Sequence, residues 1–233
     1  MPTIDFGRVE VLTFDCYGTL IDWERGILAG LRPLLGTSGA AISDDELLER
    51  YAVAEATIEA GQYRRYREVL ARAAEQVARE LGAAPEDAAL AAFGGSVVDW
   101  PAFPDSADAL ARLKTRFRLG VITNCDDDLF AASNERLGVV FDEVVTAEQA
   151  GAYKPSPQGF DLAFERLGVP RDRIVHVAQS LFHDHVTARR LGLATAWIDR
   201  RRGREGSGAT PPATVTPDIT APSMAAFADL ALA

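Results

Sequence analysis

Short apolar runs separated by amphipathic stretches make up most of the chain, apart from a long helical block near the N-terminus. The first apolar run, Val9–Phe14, is rich in β-branched and aromatic residues and predicts a buried parallel strand. Residues 20–97 contain no strand-like run and predict a series of helices. Beyond Phe117 the two patterns alternate, and further strands are predicted at 119–123, 141–146, 174–178 and 195–198.

Local signals mark several of the predicted helix ends. Ser43, followed three residues later by Glu46, has the spacing of a capping box and predicts a helix start. Ser156 before Pro157 predicts another start, with proline in the first helical position and the helix running to Leu167. Further helices are expected at 20–35, 62–81, 85–97, 126–137, 184–191 and 223–232.

This order of elements predicts an α/β fold, because one strand, a helical block and then alternating strands and helices suit a doubly wound parallel sheet. We expect a core domain of residues 1–19 and 98–233. The helical block, residues 20–97, would be a cap inserted after the first strand. It would cover the C-terminal ends of the strands, where open α/β sheets bind their ligands.

Composition excludes some classes of partner. The formal net charge of −10 disfavours binding to nucleic acid or to an anionic membrane. No run of about 18 apolar residues predicts a membrane-spanning helix, and Met1–Arg8 is too short and polar for a signal peptide. The two cysteines, Cys16 and Cys125, have no disulfide-framework spacing, so we expect a cytoplasmic protein.

Polar residues follow the predicted strands at the ends that would meet along one edge of the sheet. A carboxylate, a hydroxyl and amide pair, a lysine and a second acid would converge there on one cleft. Gly18 permits a tight turn beside the first of them. These candidates are Asp15 after the first strand, Thr123 and Asn124 at the end of the second, Lys154, and Ser180 with Asp184 after the fourth.

The motifs DCYGT at 15–19, ITN at 122–124, YKP at 153–155 and the region through Asp184 resemble the haloacid dehalogenase superfamily over nearly the whole chain. Within it, the chain is most similar to the L-2-haloacid (type II) dehalogenases. Phosphatases of the superfamily carry a second Asp two residues after the nucleophile, where this chain has Tyr17. A halide leaving group needs no proton, so that acid is dispensable.

The resemblance implies a Rossmann-like core and a hydrolytic dehalogenase of short 2-haloalkanoic acids, with Asp15 as the nucleophile that forms an ester. No metal or other cofactor is expected, because Ser180 stands where the phosphatases carry an acidic magnesium ligand. Superfamily members often dimerise, which makes a homodimer an expectation.

The resemblance also implies a role for each further site residue. Lys154 and Asp184 would organise the hydrolytic water, and Arg50 would hold the departing halide. Arg64, Arg65 and Arg67 lie nearby in the sequence, which leaves the alignment of Arg50 loose. Thr19, Thr123 and Asn124 would donate hydrogen bonds that orient Asp15 and bind the substrate carboxylate, and Ser180 is a further candidate catalytic residue. Contacts to the substrate would come from Cys16, Tyr17, Tyr51, Val69 and Gln179.

Several positions depart from the dehalogenase pattern. The fourth motif usually offers two serines and an asparagine, where this chain has Gln179, Ser180 and Leu181, and a tyrosine of the family is replaced by Phe160. Two alternatives therefore stay open: a phosphatase of the same superfamily, or a non-catalytic binding protein on this fold.

Overall fold

A computed structural model describes residues 4–233. Within this range the core is a six-stranded sheet in which every strand pairs in parallel with its neighbours. The strands are β1 (Val11–Phe14), β2 (Arg118–Thr123), β3 (Glu143–Thr146), β4 (Ile174–Ala178), β5 (Ala194–Ile198) and β6 (Ile219–Ala221).

The strand order is β3-β2-β1-β4-β5-β6. The chain therefore builds one half of the sheet outward from β1, returns to the other side of β1, and builds the second half. In such a doubly wound sheet the ligand crevice opens at the switch point, beyond the carboxyl ends of the two central strands, here β1 and β4. The α/β fold expected from the sequence is confirmed.

Helices cover both faces of the sheet. One layer packs on Leu12 and Phe14 of β1, and the other packs on Val11 of the same strand, as alternation along a strand requires. The helices are α1 (Trp23–Leu35), α2 (Asp44–Glu59), α3 (Tyr66–Glu80), α4 (Asp87–Gly95), α5 (Ser106–Lys114), α6 (Asp127–Leu137), α7 (Ala147–Ala150), α8 (Gln158–Leu167), α9 (Val186–Arg190) and α10 (Met224–Leu232).

Helices α1–α4, which we call the cap helices, are inserted between β1 and the rest of the core. The chain enters and leaves this insertion at one place. The Asp22 N–H donates to the Pro101 carbonyl at 2.8 Å, and the Phe103 N–H donates to the Leu20 carbonyl at 3.0 Å. This crossing lies near the boundaries expected from the sequence, while the division into two domains stays a prediction.

Three helices begin at other residues than the sequence predicts. Helix α3 begins at Tyr66 instead of residue 62, because the buried Asp126 carboxylate accepts from the Tyr66 N–H at 2.8 Å and the Arg67 N–H at 3.3 Å. Helix α8 begins at Gln158 instead of Pro157. The π-helical turn Leu181–His185 precedes α9, where one regular helix from residue 184 was expected.

Other predicted features agree with the structure. Ser43 caps α2 by accepting a hydrogen bond from the Glu46 N–H at 3.2 Å. Gly18 has a φ of +91°, the left-handed conformation that favours glycine in a tight turn. Among residues 4–233, every helix is too short or too polar to cross a membrane.

Gly26 of α1 offers a test of how tightly the cap helices pack on the start of the core. A Cβ at this position would lie 2.3 Å from the Trp100 ring, whereas one at Gly95 would meet nothing within 4 Å. We expect Gly26→Ala to lower the free energy of unfolding by about 1–3 kcal/mol through overpacking. Gly95→Ala, the matched control, should unfold like wild type in urea. Equal stability of the two variants would show that this contact is loose.

Candidate active site

Asp15 lies directly beyond β1, where the turn through Gly18 returns the chain toward its carboxylate. Thr19 Oγ1 donates to Asp15 Oδ2 at 2.7 Å and accepts from the Gln179 N–H at 2.9 Å. Asp15 is only 5% exposed. The hydroxyl of Thr19 thus couples the loops that follow β1 and β4 and orients one oxygen of the carboxylate.

Lys154 is the centre of the hydrogen-bond network. Its Nζ donates to Asp15 Oδ1 at 2.8 Å, to Asp184 Oδ1 at 2.7 Å and to the Ile122 carbonyl at 2.7 Å. The side chain is 2% exposed. Asn124 fixes the lysine backbone by accepting from its N–H at 2.7 Å and donating to its carbonyl at 3.1 Å.

A buried histidine contacts the same Asp184 oxygen that accepts from Lys154. His176 Nε2 lies 2.9 Å from Asp184 Oδ1, and His176 Nδ1 lies 3.0 Å from Thr13 Oγ1. Ser180 caps the π-helical turn by accepting from the His183 N–H at 2.9 Å. The wide turn buries Asp184 and brings it to the lysine, and π-turns of this kind are frequent at functional sites.

These groups border a closed cavity of about 20 Å³ between the core and the cap helices, which is room for about one water molecule. An outer cleft of about 410 Å³ shares Glu59 and Lys154 with the cavity and gives the natural approach to it. The cavity is lined by Asp15, Tyr17, Trp23, Glu55, Glu59, Tyr66, Asn124, Lys154, Ser180, His183 and Asp184.

For the three charged groups of the network, burial and the neighbouring charges shift the pKa in opposite directions. Burial raises the pKa of Asp15, and the Lys154 ammonium works against that shift. Burial lowers the pKa of Lys154, but the two carboxylates outweigh it and keep the pKa above its usual value. For Asp184, burial is outweighed by Lys154 and His176, so its pKa lies well below the usual range.

Comparison with known proteins agrees with this geometry. Residues 9–190 match the family of haloacid dehalogenase-like hydrolases. The chain belongs to this family. It is therefore a hydrolase.

Individual members of the haloacid dehalogenase-like family resemble the chain over most of its length. The (S)-2-haloacid dehalogenase H-109 of Pseudomonas putida is 25% identical over 207 residues, which cover 87% of this chain and 92% of that enzyme. The 5-amino-6-(5-phospho-D-ribitylamino)uracil phosphatase YigB of Escherichia coli is 30% identical over 215 residues, covering 84% and 86%.

A solved structure shares the fold. The L-2-haloacid dehalogenase from Xanthobacter autotrophicus with chloropropionic acid covalently bound superposes with a TM-score of 0.76 at 21% identity, covering 95% of this chain and 98% of that one.

Many residues expected at the site from the sequence are brought together. Six of them line the cavity: Asp15, Tyr17, Asn124, Lys154, Ser180 and Asp184. Thr19 lies behind Asp15, and Gln179 contributes its backbone N–H to that threonine. Cys16 is fully buried beneath the turn, where its carbonyl accepts from the Leu20 N–H at 2.7 Å. Thr123 is buried at the end of β2 and does not line the cavity.

The predictions for residues of the cap helices agree less well with the structure. Arg50, expected to hold the halide, lies on the outer face of α2, where it pairs with Glu46 at 2.8 Å and Glu80 at 3.9 Å. Its guanidinium is thus held away from the cavity, and the expected contact with a halide is absent. Val69 is buried inside the cap helices and does not line the cavity. Tyr51 does not line the cavity, but its hydroxyl donates to Glu55, which does.

The neighbouring arginines do not take the place of Arg50. Arg64 pairs with Glu68, Arg65 with Glu148, and Arg67 with Asp126 and Asp128. Among residues 4–233, no arginine lines the cavity.

Two cap glutamates at the site were not predicted. Glu55 and Glu59 project from α2 into the cavity, and Tyr66 of α3 lines it beside them. The sequence held a signal for Glu55, because it continues the buried stripe of Leu47, Tyr51 and Ala54 along α2. An acid at an apolar position of a helix is rarely buried without a partner or a function.

The site does not fit a metal ion. Over the described residues 4–233, no group of three or more histidines, cysteines or acids is placed to hold one. Asp15 and Asp184 share the Lys154 ammonium at 2.8 and 2.7 Å, so a divalent cation between them would face that charge at close range.

Glu55 gives the stability of the protein a predictable pH dependence. Burial raises its pKa from 4.5 to about 7, so the folded state holds the proton more tightly than the unfolded chain. The resulting stabilisation is complete below pH 4.5 and is lost as the pH rises through about 7. Between pH 5 and 8, urea unfolding should show a loss of stability in Glu55→Gln that is smaller than the loss in wild type by about 2.5 kcal/mol.

The exposed Glu46 on the same helix provides the control for this measurement. Glu46→Gln should keep the wild-type pH dependence. Parallel curves for wild type and Glu55→Gln would show that Glu55 titrates normally in the folded protein.

Proposed function

We propose that this hydrolase cleaves carbon–halogen bonds of short 2-haloalkanoic acids, giving 2-hydroxy acids through an ester on Asp15. The observation that carries the proposal is a lysine-bound carboxylate at the switch point, with Tyr17 two residues after it where the phosphatases carry an acid. Tyr17, at the position of that acid in the phosphatases, directs its phenol to Ser133 Oγ at 3.0 Å and Cys125 Sγ at 3.3 Å.

The pKa of Tyr17 supports a leaving group that needs no proton. Burial raises this pKa well above its usual value, which makes the phenol a poor proton donor. An alkoxide leaves slowly without a proton, whereas a halide leaves as a stable anion. The geometry therefore favours halide over alcohol as the group displaced.

In the first step, an oxygen of the Asp15 carboxylate attacks the carbon that bears the halogen. A carbon–oxygen bond forms while the carbon–halogen bond breaks, and the halide leaves with the bonding electron pair. Lys154 and Thr19 hold the two carboxylate oxygens and so fix the line of attack.

In the second step, a water molecule attacks the carbonyl carbon of the ester. One proton of the water passes to the product hydroxyl, the other is released, and the Asp15 carboxylate returns. Asp184 Oδ2 is buried and has no protein partner within residues 4–233, which leaves it free to accept a hydrogen bond from this water. Lys154 stabilises the negative charge that develops on the ester oxygen.

The relatives divide between this proposal and its alternatives. The dehalogenase names support it, and the phosphatase relative supports phosphoryl transfer on the same fold. A non-catalytic binding protein would not need the buried lysine, since holding three charges out of water is costly without a chemical use. A cytoplasmic location and a homodimer stay predictions from the sequence.

Halide release tests the proposal directly. With EDTA present at pH 6, the enzyme should release halide from chloro-, bromo- or fluoroacetate or from one enantiomer of 2-chloropropionate. Asp15→Asn should lower the rate by about 10³-fold or more, because an amide is a far poorer nucleophile. Arg50→Ala, a change on the outer face of α2, should stay within about twofold of wild type.

Different outcomes separate the alternatives. Release of phosphate from an aryl phosphate only after magnesium is added, with no halide from any haloacid, would favour the phosphatase. A large loss of halide release in Arg50→Ala would return that arginine to the site.

A further inference from the structure

The cap side of the cavity is acidic. Glu55 and Glu59 are one turn apart on α2 and therefore share a face of the helix. Both line the cavity together with Asp15. Glu55 is 2% exposed and the side chain of Glu59 is 5% exposed. The cavity has room for about one water molecule, so a substrate would enter it only as the cap helices move away from the core. With its reacting carbon at Asp15, the other end of that substrate would face these two carboxyl groups.

Neither glutamate is neutralised by a cation. Glu55 Oε1 accepts from Tyr51 OH at 2.9 Å and from Tyr66 OH at 3.0 Å. Glu59 Oε2 lies 3.5 Å from Asn124 Nδ2 and 3.7 Å from His183 Nε2.

The ammonium of Lys154, which lines the cavity, is already paired with two carboxylates. Lys154 is the single lysine or arginine among the described residues that line it, and its ammonium contacts Asp15 and Asp184. Two carboxylates and one ammonium leave the core side with a net charge of about −1. A substrate carboxylate entering this closed space would add a further uncompensated negative charge, which is costly in a buried site.

The pKa shifts of Glu55 and Glu59 also indicate that the cavity disfavours further negative charge. Burial raises the pKa of Glu55 to about 7, and burial together with Glu55 raises the pKa of Glu59 well above its usual value. Both shifts favour the uncharged form of the pair. The titratable groups that face it are Tyr51, Tyr63 and Tyr66 on the cap side and Asp15, Tyr17, Tyr153, Lys154, His183 and Asp184 on the core side.

Of these facing groups, His183 stays neutral near pH 7. Burial lowers its pKa to about 4. It therefore supplies no cation that could balance a substrate carboxylate at that pH.

We propose that Glu55 and Glu59 determine substrate specificity, selecting an uncharged acyl group that donates hydrogen bonds, as in a short 2-haloamide, over the 2-haloacid anion. This inference rests on the proposed dehalogenation. The amide N–H groups would donate to the carboxyl oxygens of the pair. A haloacid anion would bind only with uptake of a proton, whether that proton resides on a glutamate or on the substrate.

The reaction itself is unchanged for an amide. Asp15 displaces chloride from 2-chloropropionamide, the new carbon–oxygen bond replaces the carbon–chlorine bond, and chloride keeps the electron pair. Water then cleaves the ester at its carbonyl carbon, giving the 2-hydroxyamide, a proton and the free carboxylate of Asp15.

The test compares chloride release from 2-chloropropionamide and 2-chloropropionate between pH 6 and pH 9. For the acid, kcat/KM should fall by about tenfold for each pH unit above 7, as uptake of one proton requires. For the amide it should change by less than about threefold. At pH 9 the amide should therefore be the better substrate by about 10²-fold or more.

Variants assign the effect to the pair. Glu59→Gln or Glu55→Gln removes one ionisable carboxyl, and either should raise the ratio of the acid's kcat/KM to the amide's kcat/KM at pH 9 by about tenfold over the wild-type ratio. Glu46→Gln, on the outer face of the same helix, should leave both profiles as in wild type. Two glutamine variants are used so that poor folding of one does not end the test.

The outcomes separate this inference from the proposed function. If the acid is at least as good a substrate as the amide at pH 9 in wild type, or if both glutamine variants fold and keep the wild-type profile, the inference is wrong and the dehalogenase proposal stands. If neither compound releases chloride at any pH, both are wrong.

Discussion

The contact on which the site depends is the buried ammonium of Lys154, shared by Asp15 and Asp184 at 2.8 and 2.7 Å. Removing one partner from such a trio would leave a buried charge without compensation, which is strongly destabilising. Neighbouring residues hold the three charged groups in place: Asn124 fixes the lysine backbone, His176 contacts Asp184, and Thr19 donates to the second oxygen of Asp15. Asp15 and Asn124 directly follow the central strands β1 and β2, and Asp184 lies in the turn after β4, which explains why the strand order matters for the chemistry.

The core side and the cap side of the cavity have different roles in this account. The core supplies the nucleophile and its charge compensation, and these are the features that the chain shares with its family. The cap helices supply Glu55 and Glu59, which are buried without a cation and face the end of the substrate that does not react. In this account the core side chains break the bond, while the choice of molecule depends on side chains of the insertion.

The sequence predicted the core better than the cap for a physical reason. Residues after parallel strands meet at one edge whatever the lengths of the connecting segments, so Asp15, Lys154 and Asp184 could be grouped from strand order alone. No comparable rule fixes which face of a cap helix turns toward the core. Arg50 was assigned by alignment, yet the buried stripe of α2 passes through Glu55, five residues further on. The start of α3 was also missed, because Asp126, a residue distant in sequence, caps it.

The central claim is that Asp15 attacks carbon, and a single turnover in ¹⁸O-labelled water tests it most directly. With enzyme in excess over 2-chloropropionate at pH 6, mass spectrometry should find the label in the peptide that contains Asp15. The first 2-hydroxy acid released should carry none, because its new oxygen comes from the carboxylate and the water oxygen enters the carbonyl of the ester. Label in the first-turnover product with none in Asp15 would show that water attacks the substrate directly, and would contradict the account.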